Sequence, residues 1–532
     1  MRHTSRSTYS VPVPRILAEL APTNGKCPHF APLVSDPAIP SPAIPNPADE
    51  PQPEIKFMFG RMFDEQPPTI EVLTQLGTRM DAGISRDSIN HSGYTYLGQF
   101  IAHEITFDQT RGLPAAGALL NNYRSPQIDL DSLYGSDGDP IKGRIFRDDG
   151  QSPLLNIGLT VEEPNLIPEK RNDLFRDETT GKAIIADERN DENLALAQVQ
   201  VAFMSFHNKL VERLREEGVP DDQLRERARA EVVKHFQWIV LYDFLATMLD
   251  QDVLREVIDD VLNDRPLFYK PDPAAPFMPL EFSAAAFRMG HSMVRSSYEW
   301  NYVHSPELNG NAVLKDLFRE THFSGFIKPE IRTPPRLQSR WIIDWRRFFD
   351  FNVITNDNGP IYAAPPLINR ARRIDTTIDL TLATIDTGFN HEPFEGAQRS
   401  LAVRNLLRGY ALGLPTGEDV AELMGEEDRL TADEIAAGFE DSFNSHWLKG
   451  KTPLWFYILR EAEIRHNGDR LGKVGSRIVA ETLVTLIKNS DYSIFNNDGW
   501  QPRSSRFGPA GQRIFQMVDL LHSAGVVNPI NL

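Results

Sequence analysis

Large apolar side chains recur at three- and four-residue intervals through most of the chain, and few segments alternate apolar and polar positions as a half-buried strand does. The stretch LALAQVQVAFMSFHNKLVERLREE, from Leu194, runs spaced apolar residues into a charged end and predicts a helix. A second, DDQLRERARAEVVKHFQWIVLYDFLATML from Asp221, opens on acidic residues suited to a helix N-terminus. GSRIVAETLVTLIKN, from Gly475, predicts a third amphipathic helix. The fold class is therefore mainly α: a single large helical domain with few or no strands and long, proline-marked connections.

One apolar stretch carries polar residues in a pattern of its own. In YLGQFIAHEITFD, Tyr96–Asp108, Gln99 and His103 lie four apart and share a helix face, while Phe100, Ile101, Ile105 and Phe107 supply packing surface. A core histidine satisfied by a carbonyl and a histidine facing a site both fit this stretch alone.

Four further stretches combine polar groups with packed surroundings. In RSPQIDLDSLYGSD, from Arg124, Ser125, Gln127, Asp129 and Asp131 alternate, so oxygens can converge as the loop curls, as hard cations such as calcium require; a turn with capping aspartates is the plainer reading. In ADERNDENLALAQ, Arg189 and Glu192 sit three apart at a helix start, facing one pocket or forming a solvated cap. In EFSAAAFRMGHSMVR, Ala284–Ala286 and Gly290 would let a helix approach a flat, bulky group, with His291 directed at it. In LAVRNLLRGYALGLPTG, Asn405 can accept a hydrogen bond from the far nitrogen of a metal-bound imidazole, or tie two helices together.

Composition narrows the classes. The chain has 532 residues, 41% of them hydrophobic, with a formal charge of −18 and a pI near 5.2, which argues against nucleic acid or an anionic membrane as partner. The single cysteine, Cys27, can form no internal bridge and no thiolate metal site. Residues 31–53 are dense in proline, so residues 1–55 are expected as a partly disordered arm ahead of a domain over 56–532. No stretch has the apolar length of a membrane span, and the N-terminus has no convincing secretory core. The expected location is cytoplasmic, or exported without a recognisable signal.

Taken in order, FMFGRMF, GQFIAHEITFD, IDLDSLYGSD, DERNDENLAL, FHNKLVERL, EFSAAAFRMGHSMVR, RNLLRGYALGLPTG, PLWFYILREAE and GSRIVAETLV resemble the animal-type haem peroxidase family of the peroxidase-cyclooxygenase superfamily, in its bacterial members. The resemblance implies haem b and calcium as cofactors, and hydrogen peroxide with a small reducing substrate (phenols, iodide or bromide) as reactants, through a ferryl intermediate in a response to oxidative stress. It makes His103 the distal acid–base histidine, Gln99 its distal companion, Arg189 the catalytic arginine, His291 the iron ligand and Asn405 its hydrogen-bond partner. Arg288 and Arg408 fall near the haem propionates. Ser125, Gln127 through its carbonyl, Asp129 and Asp131 fall on the calcium loop, with Glu104 completing it.

Departures from the family pattern matter. Ala102 and Asn193 stand where relatives carry residues that link covalently to haem, so Glu192 leaves room for at most one ester. Glu104 replaces the usual aspartate. Arg288 stands where a fatty-acid dioxygenase needs its radical-carrying tyrosine, which ranks that alternative second; a catalytically silent haem or calcium scaffold ranks third, because it needs no distal acid–base pair.

Overall fold

The computed structural model describes residues 54–530 except 60–67, 85, 109–119, 126, 137–138, 140, 149, 164–166, 273–275, 385–395, 445–447, 497–498 and 503–512. The proline-rich arm and Cys27 lie outside the described residues, apart from Glu54 and Ile55, which already belong to the folded body.

The centre is a helix that is apolar almost all round. Helix α4, Leu194–Glu216, starts where the Asn193 side chain accepts the Leu196 N–H at 3.0 Å, and 19 of its 23 residues are buried. Helix α2, Gly93–Ile105, crosses it through Phe100, which stacks on Phe203 at 4.9 Å and meets Phe236 edge-on at 5.8 Å. Helix α5, Asp221–Ile239, supplies Phe236. Helix α1, Ile70–Asp81, packs so tightly on α7, Leu401–Leu412, that a Cβ at Gly77 would lie 2.7 Å from Val403. Three shorter or more distant helices complete what positions the site: α3, Asp131–Tyr134; α6, Leu280–Ala284; and α8, Leu454–His466. The third predicted helix is α9, Lys473–Lys488.

Strands are few and short among the described residues. Strand β1, Glu54–Lys56, pairs antiparallel with β3, Leu120–Asn121, and parallel with β4, Met278–Pro279; β2, Asp87–His91, pairs antiparallel with β5, Arg370–Arg372. The mainly α expectation holds.

The run predicted from Asp221 as one long helix widens instead into a π-helical turn over Val240–Leu245. Such a turn redirects side chains. Here Asp243 accepts from the Tyr94 hydroxyl and the Met517 N–H, both at 2.7 Å. Phe244 then reaches the α2 backbone, 3.1 Å from where a Cβ would stand on Gly98, while its ring lies 6.0 Å from that of Phe287.

Candidate functional site: two histidines on facing walls

The first wall is α2. Its first residue fits only as glycine, since a Cβ at Gly93 would lie 2.2 Å from the Phe349 ring. From that fixed start the helix delivers His103 into the interior, where Nδ1 lies 2.9 Å from Asn190 Oδ1. The Asn190 amide has one orientation, because its Nδ2 donates to Gln200 Oε1 at 2.9 Å. Oδ1 therefore faces the imidazole, His103 carries its hydrogen on Nδ1, and Nε2 is left as the acceptor.

That nitrogen lies 3.7 Å from Glu192 Oε1, which also accepts from Gln99 Nε2. Gln99 is oriented in turn by Asn193, whose Nδ2 donates to Gln99 Oε1 at 3.1 Å. Burial, helped by the Arg189 charge, lowers the His103 pKa to about 3, while burial raises that of Glu192 to about 8. At neutral pH the wall presents a neutral imidazole base beside a largely neutral carboxyl group.

Arg189 stands behind this pair rather than in front of it. Its guanidinium donates to the Asp187 carboxylate, to the His103 carbonyl at 2.8 Å and to the Thr106 carbonyl at 2.7 Å, and it sits 4.4 Å from the centre of the Phe107 ring. Asp187 also accepts from Arg124. Burial opposes ionisation of Asp187, yet the two guanidinium groups hold its carboxyl well below the usual range. The arginine therefore closes the last turn of α2 and fixes the position of His103.

The second wall is not the continuous helix that small residues suggested. Helix α6 ends at Ala284, and Ala286–His291 form a 3₁₀ turn after Ala285, at φ −133° and ψ −78°. The turn is held by its neighbours: Trp455 on α8 donates its indole N–H to the Arg288 carbonyl at 3.3 Å, and Arg288 Nε donates to the Ser283 carbonyl at 3.1 Å. Asn405 on α7 places Nδ2 2.7 Å from His291 Nδ1, and its Oδ1 accepts from Arg288 at 2.5 Å. A guanidinium can only donate, so the asparagine oxygen must face Arg288 and its NH₂ must face His291. The bond to His291 thus runs opposite to the expected direction, with the imidazole accepting. Burial and then the Arg288 charge lower the His291 pKa to about 3; burial and Arg408 bring Arg288 down to about 9.

The two walls meet through shared neighbours. Phe244 touches both, and Arg408 on α7 pairs with Asp108 just beyond α2. His291 is enclosed enough to suppress its charge and still keeps accessible surface, as do Gln99, Ala102, Glu192, Arg288, Gly290 and Arg408. A Cβ on Gly290 would meet nothing within 4 Å. Behind Asn405 a pocket opens to solvent between Leu73, Leu406, Tyr410, Leu454 and Trp455. Open space at Gly290 beside a deeply set histidine, an acid–base pair on α2 and two arginines form a donor set that fits haem.

The loop after β3 carries the expected oxygen cluster. Glu104, Asp129 and Asp131 each bring an oxygen within 4.8 Å of the others. Asp131 Oδ2 accepts from the Ser125 N–H at 3.1 Å, while Oδ1 of Asp129 and Oδ1 of Asp131 have no hydrogen-bond partner. These hard oxygens suit calcium. Gln127 lies in the same loop.

Asn190, Gln200, Asp187 and Trp455 escaped the sequence reading. Asn190 adjoins Arg189 and could have been suspected; the other three are signalled only by the contacts.

A model of the family described as animal haem peroxidase matches residues 117–331, a span that holds Arg189, Glu192, Arg288 and His291. Over those residues the chain is similar to the animal haem peroxidase family. Within the curated relatives, it is 25% identical over 287 residues to a dual oxidase of Drosophila melanogaster, covering 53% of this chain and 15% of that protein. It is 28% identical over 137 residues to a chorion peroxidase of Aedes aegypti, covering 25% and 17%. The matched stretches span only about a sixth of the length of either relative. Peroxidase A of Dictyostelium discoideum shares its fold at a TM-score of 0.57 and 15% identity, over 90% of this chain and 94% of that one. A fatty acid alpha-dioxygenase of Arabidopsis thaliana does so at 0.55 and 14%, over 82% and 75%.

Proposed function

We propose that this protein is a haem peroxidase, which reduces hydrogen peroxide and oxidises small reducing substrates such as phenols, iodide or bromide. The observation that carries the reading is His103: a buried, neutral imidazole whose hydrogen is fixed on Nδ1 by the Asn190–Gln200 pair, so that Nε2 is the unprotonated nitrogen, beside Glu192 and Gln99. His291 would hold haem, which when bound would supply the redox chemistry for O–O cleavage and for one-electron oxidation of the reducing substrate.

The protein's own groups handle the protons. His103 Nε2 takes a proton from one peroxide oxygen and returns it to the other, which leaves as water. Gln99 and Glu192 offer a donor and an acceptor that orient peroxide beside that nitrogen. Arg189 holds the His103 carbonyl, so its contribution is to position the base. His291 would hold haem through its imidazole, with Asn405 as the partner of the ring's Nδ1.

A fatty-acid dioxygenase remains the second reading because its fold is shared, but Arg288 holds the position three residues before His291 and is tied to Asn405. The test is to load the protein with haem and add peroxide with a phenol, then in a separate assay polyunsaturated fatty acid and oxygen. Phenol oxidation without fatty-acid-dependent oxygen uptake is expected; stoichiometric uptake without peroxide overturns the reading.

A further inference from the structure

Glu104 follows His103 directly on α2, is fully buried, and turns toward the loop that leads into α3. Four consecutive backbone N–H groups converge on its carboxylate. Asp129 N lies 3.2 Å from Oε1, Leu130 N donates to the same oxygen at short range, Asp131 N lies 3.2 Å from it, and Ser132 N donates to Oε2 at 3.1 Å. Successive N–H groups can point inward together only if the chain reverses hand within the loop, and Leu130 does so, at φ 60° and ψ 40°. A leucine resists that conformation, so the contact that stabilises it carries weight.

The two aspartates of the oxygen cluster are disposed differently. Asp129 and Asp131 each keep one oxygen without a hydrogen-bond partner, whereas Glu104 Oε1 already accepts three N–H groups, more than its lone pairs serve well. From the other side Arg189 takes the carbonyls of His103 and Thr106. The last turn of α2 is thus held at the amide loop by its own Glu104 and at the carbonyl end by Arg189.

We propose that Glu104 is a positioning residue that fastens the distal helix to the 129–132 loop directly, as a carboxylate seated in a nest of backbone N–H groups, and that this fastening holds without calcium. The resemblance gives calcium that task. Here the ion's place is with the oxygens of Asp129 and Asp131 that accept no hydrogen bond, and His103 stays aligned whether or not it is bound. The methylene that distinguishes Glu104 from an aspartate is what lets the carboxylate reach the nest.

Amide hydrogen exchange on the full chain tests this with excess calcium and again with excess EGTA. In the wild-type protein, exchange at Leu130, Asp131 and Ser132 should change by less than about fivefold on chelation; a larger acceleration overturns the proposal. In Glu104→Asp the shortened side chain withdraws from the nest. Exchange at those three amides should then become calcium-dependent, by roughly tenfold or more, with calcium restoring protection. An aspartate variant as indifferent to EGTA as the wild type overturns the proposal too. Should that variant fail to fold, the wild-type measurement alone decides.

Discussion

The two walls hold their histidines by different means. His103 rides on a regular helix whose start is jammed against Phe349 and whose end is tied by Arg189 and Glu104. His291 sits on a short 3₁₀ turn with open space beside it, held by single hydrogen bonds from Trp455 and Asn405. A base that must meet a small molecule at one fixed point needs a rigid mount. A residue that must admit a large planar group needs room. On the proposed function, the contrast teaches that each wall is mounted according to its task and not merely its depth.

The sharpest way to break the comparison is to remove each imidazole. His291→Ala should lose the haem spectrum and with it peroxide turnover altogether. His103→Ala should keep the haem spectrum and lose about 10²- to 10⁴-fold in peroxide turnover, the usual worth of a general acid–base group. Equal behaviour of the two variants in absorption and stopped-flow measurements would erase the distinction between the walls.

A smaller effect probes how His103 is aimed. Asn190→Leu removes the acceptor that fixes the ring hydrogen on Nδ1, so Nε2 is no longer reliably the free nitrogen; peroxide turnover should fall by about 10- to 100-fold with haem binding unchanged. Retained turnover would show that the tautomer needs no such partner.

The mounts differ in what a methyl group does to them. Gly93→Ala forces Phe349 to move and should cost about 1–3 kcal/mol in urea unfolding. Gly290→Ala meets open space and should leave the haem-free protein within about 0.5 kcal/mol of wild type while weakening haem binding. Comparable losses of stability at both positions would remove the asymmetry.

The finest measure is pH. Burial raises the Glu192 pKa to about 8, above its ordinary value of 4.5, so the folded chain keeps a proton that the unfolded chain releases. The stability this group supports is complete below about pH 4.5 and is lost as pH rises towards 8. Glu192→Gln should therefore gain on the wild type between pH 5 and 8, by on the order of 1–3 kcal/mol in urea unfolding. A pH-independent difference would show that Glu192 is not a buried neutral acid.

The sequence was legible where side chains answer to periodicity. Gln99 and His103 share one face of α2 as their spacing requires, and the helices read from Leu194 and Gly475 are found within two residues of those starts. It was less legible where several elements compete for one group. Arg189 is an arginine at a helix start in any reading, but only the approach of Asp187 and the α2 carbonyls decides where it points. Asn405 beside His291 follows from the resemblance; the direction of their bond does not, because Arg288 decides it from a third segment. The π-helical turn gives no periodic signal, since one added residue in a long apolar run leaves the pattern nearly unchanged.

By itself the sequence determined the helical class, the central helix, the polar pair at Gln99 and His103 and the inventory of oxygens around Asp129 and Asp131, because each rests on residue type and spacing along one segment. Only the tertiary structure decided which nitrogen of His103 is free, which partner neutralises Arg189 and which amides Glu104 meets. Those outcomes depend on donors and acceptors brought together from distant segments, and hydrogen-bond direction is settled by whichever partner has no alternative: a guanidinium that can only donate, an amide already fixed at its other end, or a backbone that turns its N–H groups inward.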